Sequence, residues 1–344
     1  MKRVLSFSSR FLSGSLLLFL LSCNQAKPLN IDASKSAFGA LLPNIIALLS
    51  GNPLNFSPAP TITEGTSLSV SIQAAHTLDS PTTFTLGFSS SVFTVSPASI
   101  TLSPTSPSAT VTLTHGIDND CLDQVYGLIA TQKDTGAVQT LNVATTDVDK
   151  CTFVATNTAQ GGIGYFGTFG GVNGADAACA ADKPSSLPGA TTDYKALITV
   201  TTGSPARYVT TTANCGLPAT PSCSPTNWVL YTNTRYYGSD GLTYLFTTHA
   251  QAPIFYFGGG NLTHPLGFSG GGAWTGLKLD WTEAASYQCM TVGTYQEWAS
   301  PPYSSYINNA HFGDLSAVNS TALDTGTAAT DCTAVRKNLF CIRQ

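Results

Sequence analysis

Between residues 59 and 150 apolar and polar side chains alternate. In SLSVSIQ (67–73), Leu68, Val70 and Ile72 fall on one face and Ser67, Ser69 and Ser71 on the other. Phe84, Leu86 and Phe88 repeat the pattern, as do Ile100 with Leu102, Val111 with Leu113, and Leu141 with Val143. A period of two is that of a strand with one buried face, because successive side chains point to opposite sides. Pro, Gly, Asp and Ser punctuate the runs, as turn residues do. About seven such strands in about 90 residues predict an all-β immunoglobulin-like sandwich over 59–150.

From Cys151 onward the pattern changes. GGIGYFGTFGGVNGADAACAADKP (161–184) is rich in glycine and aromatic residues. Ala175 to Ala181 predicts a helix, with Asp176 in its first turn, where a carboxylate suits the helix dipole, and Pro184 at its end. YKALITV (194–200), NWVLYTNTRYY (227–237) and NLFCIRQ (338–344) read as strands, and AWTGLKLDW (273–281) mixes a turn with strand. One helix, few strands and long irregular loops predict an α+β domain over 151–344.

The start of the chain follows neither period. Lys2, Arg3 and Arg10 precede a continuously apolar run from Leu16 to Leu21. That run is far short of the roughly 20 residues that span a bilayer, so it reads as an export signal. It ends in Leu20-Leu21-Ser22-Cys23, which resembles the lipobox of bacterial lipoproteins. The resemblance implies a signal peptide over 1–22, acylation of the Cys23 thiol with diacylglycerol and, after cleavage, acylation of the new amino terminus. More than one acyl chain is what stable membrane anchoring requires. The alternative is a plain export signal with an incidental cysteine. Residues 23–58 then read as a tether, within which AFGALLPNIIALLSG (37–51) either lies on the membrane or packs locally as a short helix.

Composition agrees with export. Only 10% of residues are charged, against about 25% in typical soluble proteins. Without its signal the chain carries twelve basic and nineteen acidic residues, a net charge of −7. It has no basic patch with interleaved aromatics, so nucleic acid is not an expected partner. With Cys23 assigned to lipid, eight of the nine cysteines remain, and an even number in an exported chain reads as disulfides. Cys121 lies in the first domain and Cys151 at its boundary with the second, and pairing them would pin the last strand beside the central turn.

Chemistry of an enzyme is not legible. His76, His115, His249, His264 and His311 form no metal-spaced pair, and no G-x-S-x-G or phosphate loop occurs. Paired cysteines are poor nucleophiles. The chain is therefore read as no enzyme; a hydrolase with a site assembled from distant loops is the minor alternative. Trp298, Tyr303, Tyr306 and Phe312 sit in irregular sequence and are the candidate ligand-binding aromatics. Trp228 and Trp274 lie inside strand-like runs and are expected in the core.

Two resemblances add to this. TEGTSLSVSI (63–72), VSPASITLSP (95–104), ATVTLTHGIDND (109–120) and VATTDVD (143–149) resemble, in order, the Calx-β type of sandwich. In calcium-binding members, acidic residues at these places cluster at one end, which here implies Glu64, Asp118, Asp120, Asp147 and Asp149 as ligands of Ca2+. Calcium takes six to eight oxygens, and carboxylates supply them; Asp and Asn also favour turns for their own sake. The series GADAACAADKP, YKALI, Arg207, NWVLYTNTRYY, AWTGL and the terminal cysteine pair resembles the endostatin-like domain of leptospiral outer-membrane lipoproteins, a C-type-lectin-like fold. That resemblance implies disulfides between Cys179 and Cys341 and between Cys289 and Cys332, with Cys215 and Cys223 clipping a local loop. The tryptophan expected shortly after Cys289 comes only at Trp298. The triplets that bind sugar through calcium in true lectins are missing, so sugar binding by that route is not expected. It also implies a surface-exposed outer-membrane protein, an adhesin or complement-regulator-binding protein that recognises host extracellular-matrix or plasma proteins. The alternative is a structural envelope lipoprotein without host ligand.

Overall fold

The computed structural model describes residues 53–344 apart from 202–204, 211, 217–219, 257–261, 268–270, 284–288, 292–296, 299–305, 308–309, 327 and 330–331. The signal, Cys23, Tyr303 and most of the tether lie outside the described residues. Those described are mostly β-sheet, with one α-helix among them.

The alternating region forms two packed sheets. Its strands are β1 (Leu54–Ser57), β2 (Thr61–Thr63), β3 (Ser67–Ala74), β4 (Thr82–Phe88), β5 (Phe93–Ser96), β6 (Ser99–Leu102), β7 (Ser108–His115), β8 (Val125–Gln132) and β9 (Val138–Thr146). One sheet runs β1-β3-β7-β5 and the other β2-β9-β8-β4-β6. Val70, Ile72, Val111 and Leu113 of the first face Phe84, Leu86, Leu128, Leu141 and Val143 of the second in one apolar core. The opposite faces carry hydroxyls, such as Ser67 against Thr114 at 2.8 Å.

The sandwich begins earlier than residue 59. Leu54–Ser57, in the stretch that reads as tether, pairs antiparallel with Ser71–Ala74. Leu54 is buried, its N–H donates to Gln139 Oε1 at 2.9 Å, and its carbonyl accepts from Gln139 Nε2 at 2.5 Å. A four-residue strand flanked by prolines carries too few apolar positions to declare its period.

Beyond β9 the chain runs through Asp147, Val148 and Asp149 straight into β10 (Lys150–Ala155). There follow β11 (Tyr165–Phe166), α1 (Gly171–Asp182), β12 (Tyr194–Ala196), β13 (Arg235–Tyr237), β14 (Tyr244–Thr247), β15 (Gly272–Trp274), β16 (Met290–Thr291), β17 (Tyr306–Ile307), β18 (Ala310–Asp314), β19 (Ala328–Ala329), β20 (Arg336–Lys337) and β21 (Leu339–Arg343). The principal sheet is ordered β12-β21-β10-β13-β14. β21 is buried on both faces. Leu339 and Cys341 join Val172, Ala175, Cys179, Tyr194 and Trp274 on the side of α1. Phe340 and Ile342 join Tyr236, Leu245, Phe255 and Trp281 on the other.

Several local expectations need correction. The helix starts at Gly171, not Ala175, because its first turn lies against backbone: a Cβ on Gly174 would fall 1.7 Å from the Phe169 carbonyl oxygen. Asp176 is thus one turn further in, away from the dipole. It is buried and takes two hydrogen bonds from Arg207, Nη1 to Oδ1 at 2.7 Å and Nη2 to Oδ2 at 2.8 Å. The run 227–237 is extended only over Arg235–Tyr237, since Asn227 and Asn233 hold left-handed φ of 47° and 50° and turn the chain. Likewise 194–200 is strand only to Ala196.

The aromatic assignments also change. Trp298 is fully buried. Its indole N–H donates to the Thr199 carbonyl at 3.0 Å, and its own carbonyl accepts the N–H groups of Gly170 and Gly171 at 2.7 and 2.9 Å. It therefore docks the entry of α1 and is no surface anchor. Phe312 is half-buried, with Lys337 Nζ 3.9 Å over its ring. Tyr306 lies in β17. Disulfides join Cys121 to Cys151, Cys179 to Cys341, Cys215 to Cys223 and Cys289 to Cys332.

Candidate metal centre

The acidic residues picked from turn positions meet at one end of the sandwich, where β9 passes into β10. Glu64 follows β2 in a turn closed by the Thr66 N–H on the Thr63 carbonyl at 3.1 Å, and Gly65 holds the φ of 72° that turn needs. Glu64 is buried. Its Oε1 accepts the Asp118 N–H at 2.6 Å and its Oε2 the Val148 N–H at 3.4 Å.

Asp118 and Asp120 follow β7 and shape their own loop. Asp118 Oδ1 accepts the Asp120 N–H at 3.2 Å, and Asp120 Oδ1 accepts the Leu122 N–H at 2.8 Å. Gln124 Nε2 donates to Asp120 Oδ2 at 2.8 Å. Asp147 and Asp149 form the corresponding turn between β9 and β10, with the Asp149 N–H on Asp147 Oδ1 at 2.7 Å. The Cys121–Cys151 bond ties the two acidic turns together.

These side chains make two triads. Carboxylate oxygens of Glu64, Asp147 and Asp149 lie within 4.8 Å of one another, as do those of Asp118, Asp120 and Asp147. Oxygens sharing one calcium ion at about 2.4 Å each can stand at most about 4.8 Å apart, so both triads have the span of a single ion's ligands. The donors are all carboxylate oxygen, the hard chemistry Ca2+ takes. A buried imidazole borders the cluster. His115, at the end of β7, is 3% exposed and neither ring nitrogen has a hydrogen-bond partner. Its Nε2 faces Asp118 Oδ2 at 3.7 Å while its ring stacks on Phe93 at 4.3 Å between centroids.

Crowding shows in the proton affinities. Burial, with the Glu64 charge adding to it, pushes the Asp147 carboxyl up to about 9. Burial pushes Asp149 up to about 6, against the pull of Arg235. Asp118 and Asp120 are raised as well, chiefly by burial. A cation sharing their oxygens would favour the ionised forms.

One cation is already present. Arg235, the first residue of β13, reaches across to the sandwich. Its Nη1 donates to the Asp118 carbonyl at 2.9 Å and its Nε to Asp149 Oδ1 at 3.1 Å. Its Nη2 lies 2.5 Å from Asp149 Oδ2 and 3.4 Å from Glu64 Oε1. The first of these is a charge contact out of hydrogen-bond alignment, since Asp149 Oδ2 has no hydrogen-bond partner. Neither Arg235 nor His115 stood out in the sequence. The link depends on β13 pairing parallel with β10, which sets Tyr236 beside Lys150, and no local spacing announces that.

Two further features are concave or acidic. Trp228 and Tyr231 line a shallow groove of about 500 Å3 with Asn227, Gln251, Pro225 and Pro253. Trp228 is half-buried rather than in the core, its indole N–H on the Pro253 carbonyl at 2.9 Å. Elsewhere, Glu283 and the fully buried Glu297 share Thr201, whose hydroxyl donates to Glu283 and whose N–H donates to Glu297 Oε2 at 2.7 Å. Burial and a hydrogen bond between the Glu283 and Glu297 carboxyls, which favours protonated Glu283 as donor, push Glu283 up to about 9.

Residues 162–314 match the family described as a protein of unknown function, DUF1554. No curated protein matches the chain. Among solved structures, the chain is similar to SSP-19, an MSP-domain protein like family member in Caenorhabditis elegans. Identity is 16% and the TM-score 0.21, over 26% of this chain and 94% of that one. A protein of unknown function from Porphyromonas gingivalis W83 is 17% identical with a TM-score of 0.24, over 30% of this chain and 56% of that one. The VesB protease of Vibrio cholerae is 14% identical with a TM-score of 0.20, over 31% of this chain and 35% of that one. At these scores the likenesses carry no argument.

Proposed function

We propose that this chain is a lipid-anchored binding protein of the bacterial outer surface. In this reading a Calx-β-like sandwich is the spacer and an α+β, endostatin-like and C-type-lectin-like domain the binding module. The observation that carries it is the cysteine arrangement. Eight of nine cysteines pair, which suits an oxidising compartment. The ninth, Cys23, ends the apolar run in a lipobox-like setting. The expected ligands are host extracellular-matrix proteins or complement regulators. The groove around Trp228 and Tyr231 offers the aromatic, uncharged surface such partners use.

Ca2+ belongs to this reading as a structural ion. Asp118, Asp120, Asp147, Asp149 and Glu64 would hold it, and it would supply the positive charge that crowded carboxylates lack. The oxygen-only donor set, its span of 4.8 Å and the buried Asp149 Oδ2 without a hydrogen bond support that fit. Labelled palmitate and protease shaving of intact cells test the anchor and the address. Label should stay on the protein and vanish in Cys23→Ala, and shaving should remove residues 152–344. A pull-down with the purified soluble chain tests the binding. Failure to retain laminin, fibronectin or complement factor H at micromolar levels would overturn the adhesive role, and resistance to shaving would favour a structural envelope protein instead.

A further inference from the structure

Five carboxylates converge on the junction, but they are not equivalent, because Asp147 belongs to both triads and Arg235 to only one. The guanidinium sits against Asp149 and Glu64, and neither Asp120 nor Asp147 touches it among its polar contacts. A metal ion in the Glu64–Asp147–Asp149 triad would need the oxygens that Arg235 holds. The Asp118–Asp120–Asp147 carboxylates have no guanidinium among their polar contacts: Asp120 Oδ2 accepts from Gln124 Nε2 at 2.8 Å, and His115 Nε2, without a hydrogen bond, stands 3.7 Å from Asp118 Oδ2. Arg235 is also fixed from behind. Its strand is hydrogen-bonded to β10, and its guanidinium lies 5.8 Å over the Tyr237 ring.

We propose that Arg235 stands in for a cation at this junction: its guanidinium fills the Glu64–Asp147–Asp149 triad, and the chain binds a single divalent cation between Asp118, Asp120 and Asp147. The proposal rests on the calcium reading for the second half of that statement, not for the first. It makes Arg235 a positioning residue that assigns Glu64 and Asp149 to joining the two parts of the chain. Glu64 then shapes the metal loop only through the Asp118 N–H.

Titration of the full exported chain with CaCl2 alone, read by calorimetry and native mass spectrometry, tests it. Wild type should take up one ion and Arg235→Gln two, since the substitution frees two carboxylates. Asp120→Asn should weaken wild-type binding by about tenfold or more, and Glu64→Gln by less than about threefold, as the loss of a ligand differs from the loss of a neighbour. Arg235→Lys, which keeps the charge, should hold the count at one. Two ions in wild type, or one in both wild type and Arg235→Gln, would overturn the inference while leaving calcium binding intact. No ion in wild type but one in Arg235→Gln would support the arginine's role and defeat the calcium reading. No ion in either would sink both. Should Arg235→Gln fail to fold, the Glu64→Gln and Asp120→Asn pair decides: equal losses would overturn the proposal.

Discussion

At the scale of single residues, this protein buries charge where another fold would bury hydrocarbon. Arg207 is 1% exposed and spends its donors on both oxygens of Asp176 and on the carbonyls of Ala196 and Asn227. Removing one member of such a pair strands the other in low dielectric, which costs about 3 to 5 kcal/mol. Arg207→Ala should therefore lose that much in chemical denaturation, whereas losing no more than a surface substitution would show that water reaches Asp176. Glu283 gives the opposite case, a carboxyl that the fold keeps protonated. Its affinity for a proton is higher folded than unfolded, so its contribution to stability is full below the unfolded value near 4.5 and is lost as pH rises through about 9. Wild type should melt at progressively lower temperature from pH 5 to pH 9 (a window of about four units). Glu283→Gln should flatten that slope; an unchanged slope would place the titration elsewhere.

At the scale of elements, period and chemistry were not equally legible. Strands of seven or eight residues such as β3, β4 and β7 declare themselves, because two or three apolar positions on one face outvote everything else. The four residues of β1 could not, and Gly171 and Gly174 disguised the first turn of α1 as loop. The acidic turns were legible because Asp and Gly must sit where they do to make them. Arg235 and His115 were not, because their relation to those turns exists only after β10 has found β13. The burial of Trp298 is illegible for the same reason: it is 99 residues from the Thr199 carbonyl that receives its N–H. The Cys121–Cys151 bond is the covalent part of this arrangement. It closes a loop of 30 residues, and in the chain-entropy account that is worth about 3.5 kcal/mol, model-dependent. Replacing both cysteines by Ser should lower the melting temperature. It should also weaken calcium binding, since the cross-link beside Asp120 that ties its turn to the turn of Asp147 would be gone. A variant that keeps wild-type calcium affinity would show that hydrogen bonds alone set the acidic turns.

At the scale of the molecule, the sandwich and the residues that follow it are joined by contacts of several kinds. The backbone is continuous from β9 to β10, Arg235 bridges to Glu64 and Asp149, and the Cys121 N–H donates to the Gly241 carbonyl at 3.0 Å. Arg343, in the last strand, adds a bond to Asp123 Oδ2 at 2.7 Å. If an arginine fills one triad, the joint does not depend on metal alone. Chelating calcium from wild type should then leave the small-angle scattering profile nearly unchanged, because Arg235 still neutralises Glu64 and Asp149. Chelation combined with Arg235→Gln removes both cations from a cluster whose carboxylates repel at close range, and electrostatics at that range outweighs one surface ion pair. The distance distribution should broaden, and protease should cut near residues 147–149. If chelation alone broadens it to the same extent, the metal is the principal tie and the arginine only an ornament of the interface. If neither treatment does, strand pairing and the disulfide suffice to hold the joint, and the acidic cluster serves the loops it shapes.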